Sequence, residues 1–131
     1  MKEILDFIAG CGNPFFLATD EGGQPRVRPM GVAFEYKGHL SFCTNNKKKV
    51  FAQLKANPKA EICASDGDKW VRVTGTVGFT PDREAKEKAL EAAPMLKNIY
   101  KVDDGIFEIF YFENAVAVFE DMKGNKKEVK L

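Results

Sequence analysis

The sequence predicts a mainly β fold with flanking helices (α+β), organised as a closed or partly open antiparallel barrel. Three observations carry that reading. Short segments with two-residue alternation are joined by turn-forming clusters at Asp20-Glu21-Gly22-Gly23, Lys37-Gly38, Asp66-Gly67-Asp68 and Lys123-Gly124-Asn125. Helical periodicity is confined to three places, so strands and helices do not alternate one for one and a doubly wound parallel sheet is disfavoured. Short strands linked by tight turns close most readily into a barrel, with helices over its ends and gaps.

Residues 2–9 place Ile4, Leu5 and Ile8 at helical spacing, and Gly10 and Gly12 are its stop signals. Phe15 to Thr19 reads as a strand. Residues 25–36 alternate as one long strand, with Arg26, Arg28, Met30, Val32, Phe34 and Tyr36 on one face and Val27, Gly31, Ala33 and Glu35 on the other. Pro29 cannot donate to a ladder, so this strand belongs at an edge or a bulge, with main-chain groups of Met30 and Gly31 free for a ligand. Residues 39–44 form the next strand. Residues 47–57 form a helix with Val50, Phe51 and Leu54 inward, stopped by Asn57-Pro58.

Ala60 to Ser65 and residues 70–79 are further strands. In the second, Val71, Val73, Val77 and Phe79 make a core face. Trp70, Arg72, Thr74 and Thr76 make a mixed face suited to a ligand or a subunit. Thr80-Pro81-Asp82 opens a third helix with a hydroxyl cap and a proline in first position, running to about residue 96 with a break near Pro94. Ile106 to Phe112 and Ala115 to Glu120 read as two strands, and a last one follows the turn at 123–125.

The chain has 131 residues, which implies one domain spanning 1–131. It carries 20 Lys and Arg against 19 Asp and Glu, a balance that argues against nucleic acid as a partner. No apolar run approaches the roughly 20 residues that span a bilayer, so no membrane association is expected. Lys2, Glu3 and Asp6 stand where a signal peptide needs apolar residues, which points to the cytoplasm. Cys11, Cys43 and Cys63 lie far apart without metal-ligand spacing, and His39 is the sole histidine, beside a turn. A zinc site and a Ser-His-Asp triad are therefore disfavoured, and no metal is expected. Glycine-rich phosphate motifs are absent.

One local concentration of charge stands out. Arg26 and Arg28 share a strand face, and Thr44-Asn45-Asn46 leads into Lys47, Lys48 and Lys49 at a helix start. Two readings of the lysines stand: a solvated charge run, or an anion site. Cations are electrostatically wrong for a helix N-terminus, and an anion would resolve that misfit. Arg28 shares its face with apolar residues, where an unpaired guanidinium is costly. Trp70, the only tryptophan, is open to both a core or interface role and a cofactor-platform role.

Taken in order, Arg26-Val27-Arg28-Pro29-Met30, Leu40-Ser41-Phe42-Cys43-Thr44-Asn45, Lys48-Lys49-Val50 through Asn57-Pro58, and Trp70-Val71-Arg72-Val73-Thr74-Gly75 resemble the pyridoxamine 5′-phosphate oxidase-like flavoproteins, the FMN-binding split barrels. The match covers residues 4–120, and its closest flavour is the short bacterial branch with nitroimidazole-reductase-like and general-stress-protein-like members. The resemblance implies a six-stranded Greek-key split β-barrel, homodimeric, with FMN in a cleft between subunits. It implies that Arg28, Thr44 and Lys49 hold the phosphate, with Lys48 brought in by a one-residue shift of the alignment. Val27, Arg28, Pro29, Met30 and Gly31 would run along the flavin ring, and Trp70 would touch the cofactor. Arg26, Cys43 and Asn45 complete the implied cofactor-binding set.

The sequence also departs from the family. The C-terminal Trp and Arg-rich segment of the longer oxidases are missing, and Ala33 stands where a lysine is often found. Pyridoxamine phosphate oxidase activity is therefore not expected. The resemblance implies an FMN-dependent oxidoreductase, flavin-reductase- or nitroreductase-like. Its substrate or electron acceptor would be a small aromatic or nitro-bearing compound, with NAD(P)H as candidate donor. The alternatives are a non-catalytic flavin-binding or redox-sensing protein, and a deazaflavin or haem binder. No side chain is assigned as a catalytic acid or base.

Overall fold

Eight strands and three α-helices form from these patterns in the computed structural model, which describes residues 1–131. The order is α1 (Lys2–Cys11), β1 (Phe15–Glu21), β2 (Gln24–Met30), β3 (Ala33–Tyr36), β4 (His39–Asn45), α2 (Lys49–Ala56), β5 (Lys59–Ser65), β6 (Lys69–Thr80), α3 (Arg83–Ala92), a 3₁₀ helix (Pro94–Asn98), β7 (Phe107–Asp121) and β8 (Lys126–Lys130). No helix is long and apolar enough to cross a membrane.

The strands make one antiparallel sheet in the order β2-β1-β5-β6-β7-β4-β3, with β8 paired to β7. The two ends of that order, β2 and β3, are consecutive in the chain and joined only by Gly31-Val32. The sheet is therefore open between them, and the covalent chain crosses the opening. This corrects the expectation of one strand over 25–36. Pro29 lacks a ladder donor, and the chain bends past Gly31 from one edge of the sheet to the other. The expected single face over 25–36 does not survive the bend: Met30 packs on the main core together with Ala33, whereas Val32, Phe34 and Tyr36 turn to a separate apolar cluster. The resemblance implied six strands. The sheet has eight, partly because this segment divides and partly because β8 adds to β7.

A second correction concerns 106–112 and 115–120, which are one strand. Thr74 pairs with Val116 and Thr76 with Glu113, so β7 spends three steps where β6 spends two. Asn114 takes up the extra residue at φ 52, a left-handed conformation that asparagine tolerates well. The inward parity changes there. Phe110 and Phe112 point into the main core before the bulge, and Ala115 and Ala117 after it. Phe107 and Ile109, on the opposite face, build a second cluster with Phe34, Tyr36 and the α3 residues Ala85, Ala89 and Leu90.

The main cluster fills the barrel with Phe15, Leu17, Leu40, Phe42, Ile62, Val71 and Val73, closed by Ile4 and Ile8 of α1 and by Val50 and Leu54 of α2. Gln53, rather than Phe51, joins Val50 and Leu54 as a buried residue of α2. Phe51 instead packs edge-on to Phe79 with ring centroids 5.1 Å apart. The third helix begins at Arg83 with Asp82 as its N-cap position, because β6 extends to Thr80. The Asp82 carboxylate does not cap the helix. It accepts from the Tyr36 hydroxyl at 2.7 Å and from Lys37 Nζ at 3.2 Å.

Gly75 lies opposite the bulge, and a Cβ there would meet Phe112 Cγ at 2.6 Å. Phe112 is a buried core ring, so the site has no room to yield. Gly75→Ala should destabilise the protein by about 1–3 kcal/mol through overpacking. Gly10, in α1, is open by contrast: a Cβ there would meet nothing within 4 Å. Gly10→Ala should stabilise by up to about 1 kcal/mol, through helix propensity and a less flexible unfolded chain. Denaturant midpoints of the two variants should move in opposite directions; a shared direction would contradict the close approach at Gly75.

Candidate functional site

Strand β2 is an edge strand, and α2 packs against β1 and β4 beside it. Between them runs a groove of about 490 Å³ lined by Glu21, Arg26, Val27, Arg28, Pro29, Lys48, Lys49, Val50 and Gln53. It gathers four cationic side chains, from β2 and from the start of α2, against one carboxylate.

Arg28 is half-buried and folded toward the barrel end. Its Nη1 donates to Thr19 Oγ1 at 2.7 Å and to the Leu17 carbonyl at 3.3 Å, and its Nη2 donates to Gln53 Oε1 at 2.5 Å. All three acceptors are uncharged, and no carboxylate pairs with it. Burial, and then the neighbouring Arg26 cation, shift its pKa downward, which means the charge is held at a cost. An anion arriving in the groove would relieve that cost.

Glu21, at the hairpin end of β1, accepts from Arg26 Nε at 2.9 Å and from Gln53 Nε2 at 3.0 Å. These hydrogen bonds, with Gln53 first, hold its carboxyl below the usual range, and the Arg26 and Lys49 charges add to the effect. Helix α2 has no acidic residue in its first turn and no side-chain cap at Lys48. Its N-terminal N–H groups are thus without a side-chain acceptor. Lys47, Lys48 and Lys49 form no ion pair. Asn45 shapes the approach by accepting from the Lys47 N–H at 3.0 Å.

The structure brings Arg26, Val27, Arg28, Pro29, Lys48 and Lys49 together in this groove. Met30 ends β2, and Gly31 lines a separate, mostly apolar cavity of about 270 Å³ with Leu5, Ile8, Phe15 and Val32. Thr44, Cys43 and Asn45, at the end of β4, do not line the groove. Thr44 is buried, and Asn45 donates to the Tyr100 hydroxyl at 2.6 Å. Cys43 packs against the second cluster, where burial pushes its thiol up to about 12. Trp70 lies on the outer sheet face opposite Glu120, whose carboxylate pairs with Arg72 at 2.6 Å. In the single chain it is apart from the groove.

Sequence reasoning missed Thr19, Glu21 and Gln53. Two of them had a signal. Thr19 continues the inward alternation of Phe15 and Leu17, and Gln53 follows Val50 by three residues on the inner helical face. A polar residue at an inward position needs a partner, and here the two find each other at 2.7 Å. His39 is occupied elsewhere: its ring packs on Tyr111 at 4.7 Å and its Nδ1 lies 3.3 Å from the Phe112 carbonyl. No group of three or more His, Cys, Asp and Glu is placed to hold a metal.

Comparison with known proteins places this geometry. The family profile described as pyridoxamine 5′-phosphate oxidase matches residues 1–124. The chain is 48% identical to a NimC/NimA family protein from Clostridium acetobutylicum, covering 98% of this chain and 93% of that one, with a TM-score of 0.90. General Stress Protein 26 from Bacillus anthracis shares the fold at 16% identity and a TM-score of 0.74, covering 98% of this chain and 97% of that one. A pyridoxamine 5′-phosphate oxidase-related, FMN binding protein from Nostoc punctiforme shares it at 12% identity and a TM-score of 0.59, covering 99% and 94%. No curated protein matches the chain.

The burial of Cys43 has a measurable consequence. With its thiol near 12, only about one molecule in ten thousand carries the thiolate at pH 8, and the thiolate is the reactive form. Alkylation by iodoacetamide at pH 8 should therefore be slower at Cys43 than at Cys11 in the folded protein, and should speed up at Cys43 on unfolding. Mass spectrometry of tryptic peptides reads the order, and early modification of Cys43 would contradict its packing.

Proposed function

This chain belongs to the pyridoxamine 5′-phosphate oxidase family and to its NimC/NimA branch, and from that premise we propose that it is a flavin-binding protein whose basic groove holds the phosphate of FMN. The observation that carries this reading is Arg28: a half-buried cation facing only neutral acceptors, across from an uncapped helix N-terminus with unpaired lysines. Those are the groups a phosphate ester needs. Lys48, Lys49, Arg26 and the first N–H groups of α2 would complete the grip. The flavin supplies the electron-transfer chemistry when bound. The chain contributes position: anchoring the phosphate beside β2 would lay the ring along Val27 to Gly31.

The reading extends to a homodimer. The outer sheet face carries two aligned rows, Pro29-Phe16-Cys63-Arg72-Val118-Glu128 and Val27-Ala18-Glu61-Thr74-Val116-Lys130. Phe16 is 46% exposed and Val27 66% exposed on this face. An isologous contact through it would cover them and would carry Trp70 of one protomer toward the other's cofactor. Thr44, Cys43 and Asn45 keep a supporting place behind the α2 turn in this reading.

The activity we propose is that of an FMN-dependent oxidoreductase acting on a small, aromatic or nitro-bearing acceptor, with NAD(P)H as candidate donor. Membership of the NimC/NimA branch supports it. Anaerobic reoxidation of the reduced protein by a nitroaromatic separates it from a non-catalytic flavin carrier, which would not turn over.

FMN should bind far more tightly than riboflavin in a fluorescence titration. Arg28→Ala should weaken FMN by roughly tenfold to a hundredfold, the value of one charge-assisted contact of about 1.5–3 kcal/mol. Equal affinity for the two flavins would remove the phosphate assignment. Sedimentation should show a dimer at micromolar concentration with two equivalent flavins, and a flavin-loaded monomer would overturn the assembly.

A further inference from the structure

Arg28 and Glu21 are opposite charges on the two strands of one hairpin, lining one groove, yet no ion pair joins them. Gln53 stands between them. Its Oε1 accepts from Arg28 Nη2 at 2.5 Å and from Thr19 Oγ1 at 2.7 Å, and its Nε2 donates to Glu21 Oε2 at 3.0 Å. A primary amide carries its acceptor and its donors on separate atoms, so it can face a cation with one and an anion with the other at once. Those neighbours also fix its orientation. Turned over, the amide would present N–H to a guanidinium and oxygen to a carboxylate.

We propose that Gln53 is a positioning residue that keeps Arg28 and Glu21 apart, so that the Arg28 charge stays available to the phosphate of a bound flavin. The inference rests on the phosphate reading above. The hydrogen-bond count supports it. Arg28 spends three of its N–H groups on Leu17, Thr19 and Gln53, and the remaining Nε–H and one Nη2–H have no acceptor in the chain. Glu21, for its part, is satisfied on the other side by Arg26, at 2.9 Å. Gln53 is only 6% exposed, so its site is a gap between two charges rather than an open surface. Take the amide away and two opposite charges face the same gap with no group between them. Their ion pair would compete with the phosphate for Arg28.

The test is a double-mutant cycle read as the ratio of riboflavin to FMN dissociation constants, with circular dichroism confirming that each variant is folded. Gln53→Met should cut FMN affinity about tenfold and leave riboflavin unchanged, because about 1.4 kcal/mol of the phosphate-specific part is lost. Adding Glu21→Gln to it should restore most of the preference, since the competing carboxylate is gone. Gln53→Glu, nearly isosteric and useful should the Met variant not fold, should also lose FMN preference, and Glu21→Gln should fail to rescue it, because its own carboxylate occupies Arg28. Equal binding of both flavins by the unaltered protein would overturn the phosphate reading itself. Preference in the unaltered protein that survives Gln53→Met, or that Glu21→Gln cannot restore there, would overturn the role of Gln53 while leaving the phosphate reading intact.

Discussion

Strand β7 is the spine on which the rest of the molecule is built, and its one-residue bulge is the constraint that makes this possible. One edge of β7 pairs with β6 along most of its length; the other pairs with β4 before the bulge and with β8 after it. A regular strand of that length would turn its inward face out of the barrel as the sheet coils. The extra residue at Asn114 resets the parity, so that Phe110, Phe112, Ala115 and Ala117 all reach one core. The opposite face of the first half is thereby freed for Phe107 and Ile109, against which α3 docks. Gly75 supplies the matching concession on β6, where Phe112 lies too close for any side chain.

The basic groove follows from the other irregularity, the opening between β2 and β3. A closed ladder would leave no strand edge. Here the sheet stops at β2, and α2 covers the barrel end next to it. Polar groups that would be stranded inside a sealed barrel can reach one another at this rim. Thr19, Gln53 and Arg28 form a closed set of hydrogen bonds, with Glu21 and Arg26 on the solvent side. Three of the five Arg28 N–H groups are met by neutral acceptors without a ligand, and the arrangement still presents net positive charge beside a helix N-terminus. A half-buried cation is costly unless its donors are met, and neutral acceptors meet part of that need without cancelling the charge.

Much of this was readable from local chemistry. Hairpin turns at 20–23, 37–38 and 66–68, the apolar face of β6, and the inward helix positions Ile4, Ile8, Val50 and Leu54 all follow from periodicity and turn composition. The gathering of Arg26, Arg28, Lys48 and Lys49 followed from noting cations where a helix start disfavours them. The misses were of another kind. The break at Gly31 and the continuity through Asn114 are invisible to alternation, because a bend and a bulge each disturb the period by about one residue, and opposite outcomes look alike. Cys43 sits beside Thr44 in sequence but faces the second cluster, since neighbours on a strand point to opposite sides.

Side-chain type at fixed local spacing is enough for the class of fold, the core face of β6 and the cationic character of the groove. Which charges pair was settled by packing. Arg28 finds Thr19 and Gln53 rather than Glu21, and Glu21 finds Arg26. Those choices depend on where a helix 25 residues further along the chain sets down a single amide. Distances of that kind are fixed by the packing of α2 on the barrel end, and a one-dimensional pattern does not contain them.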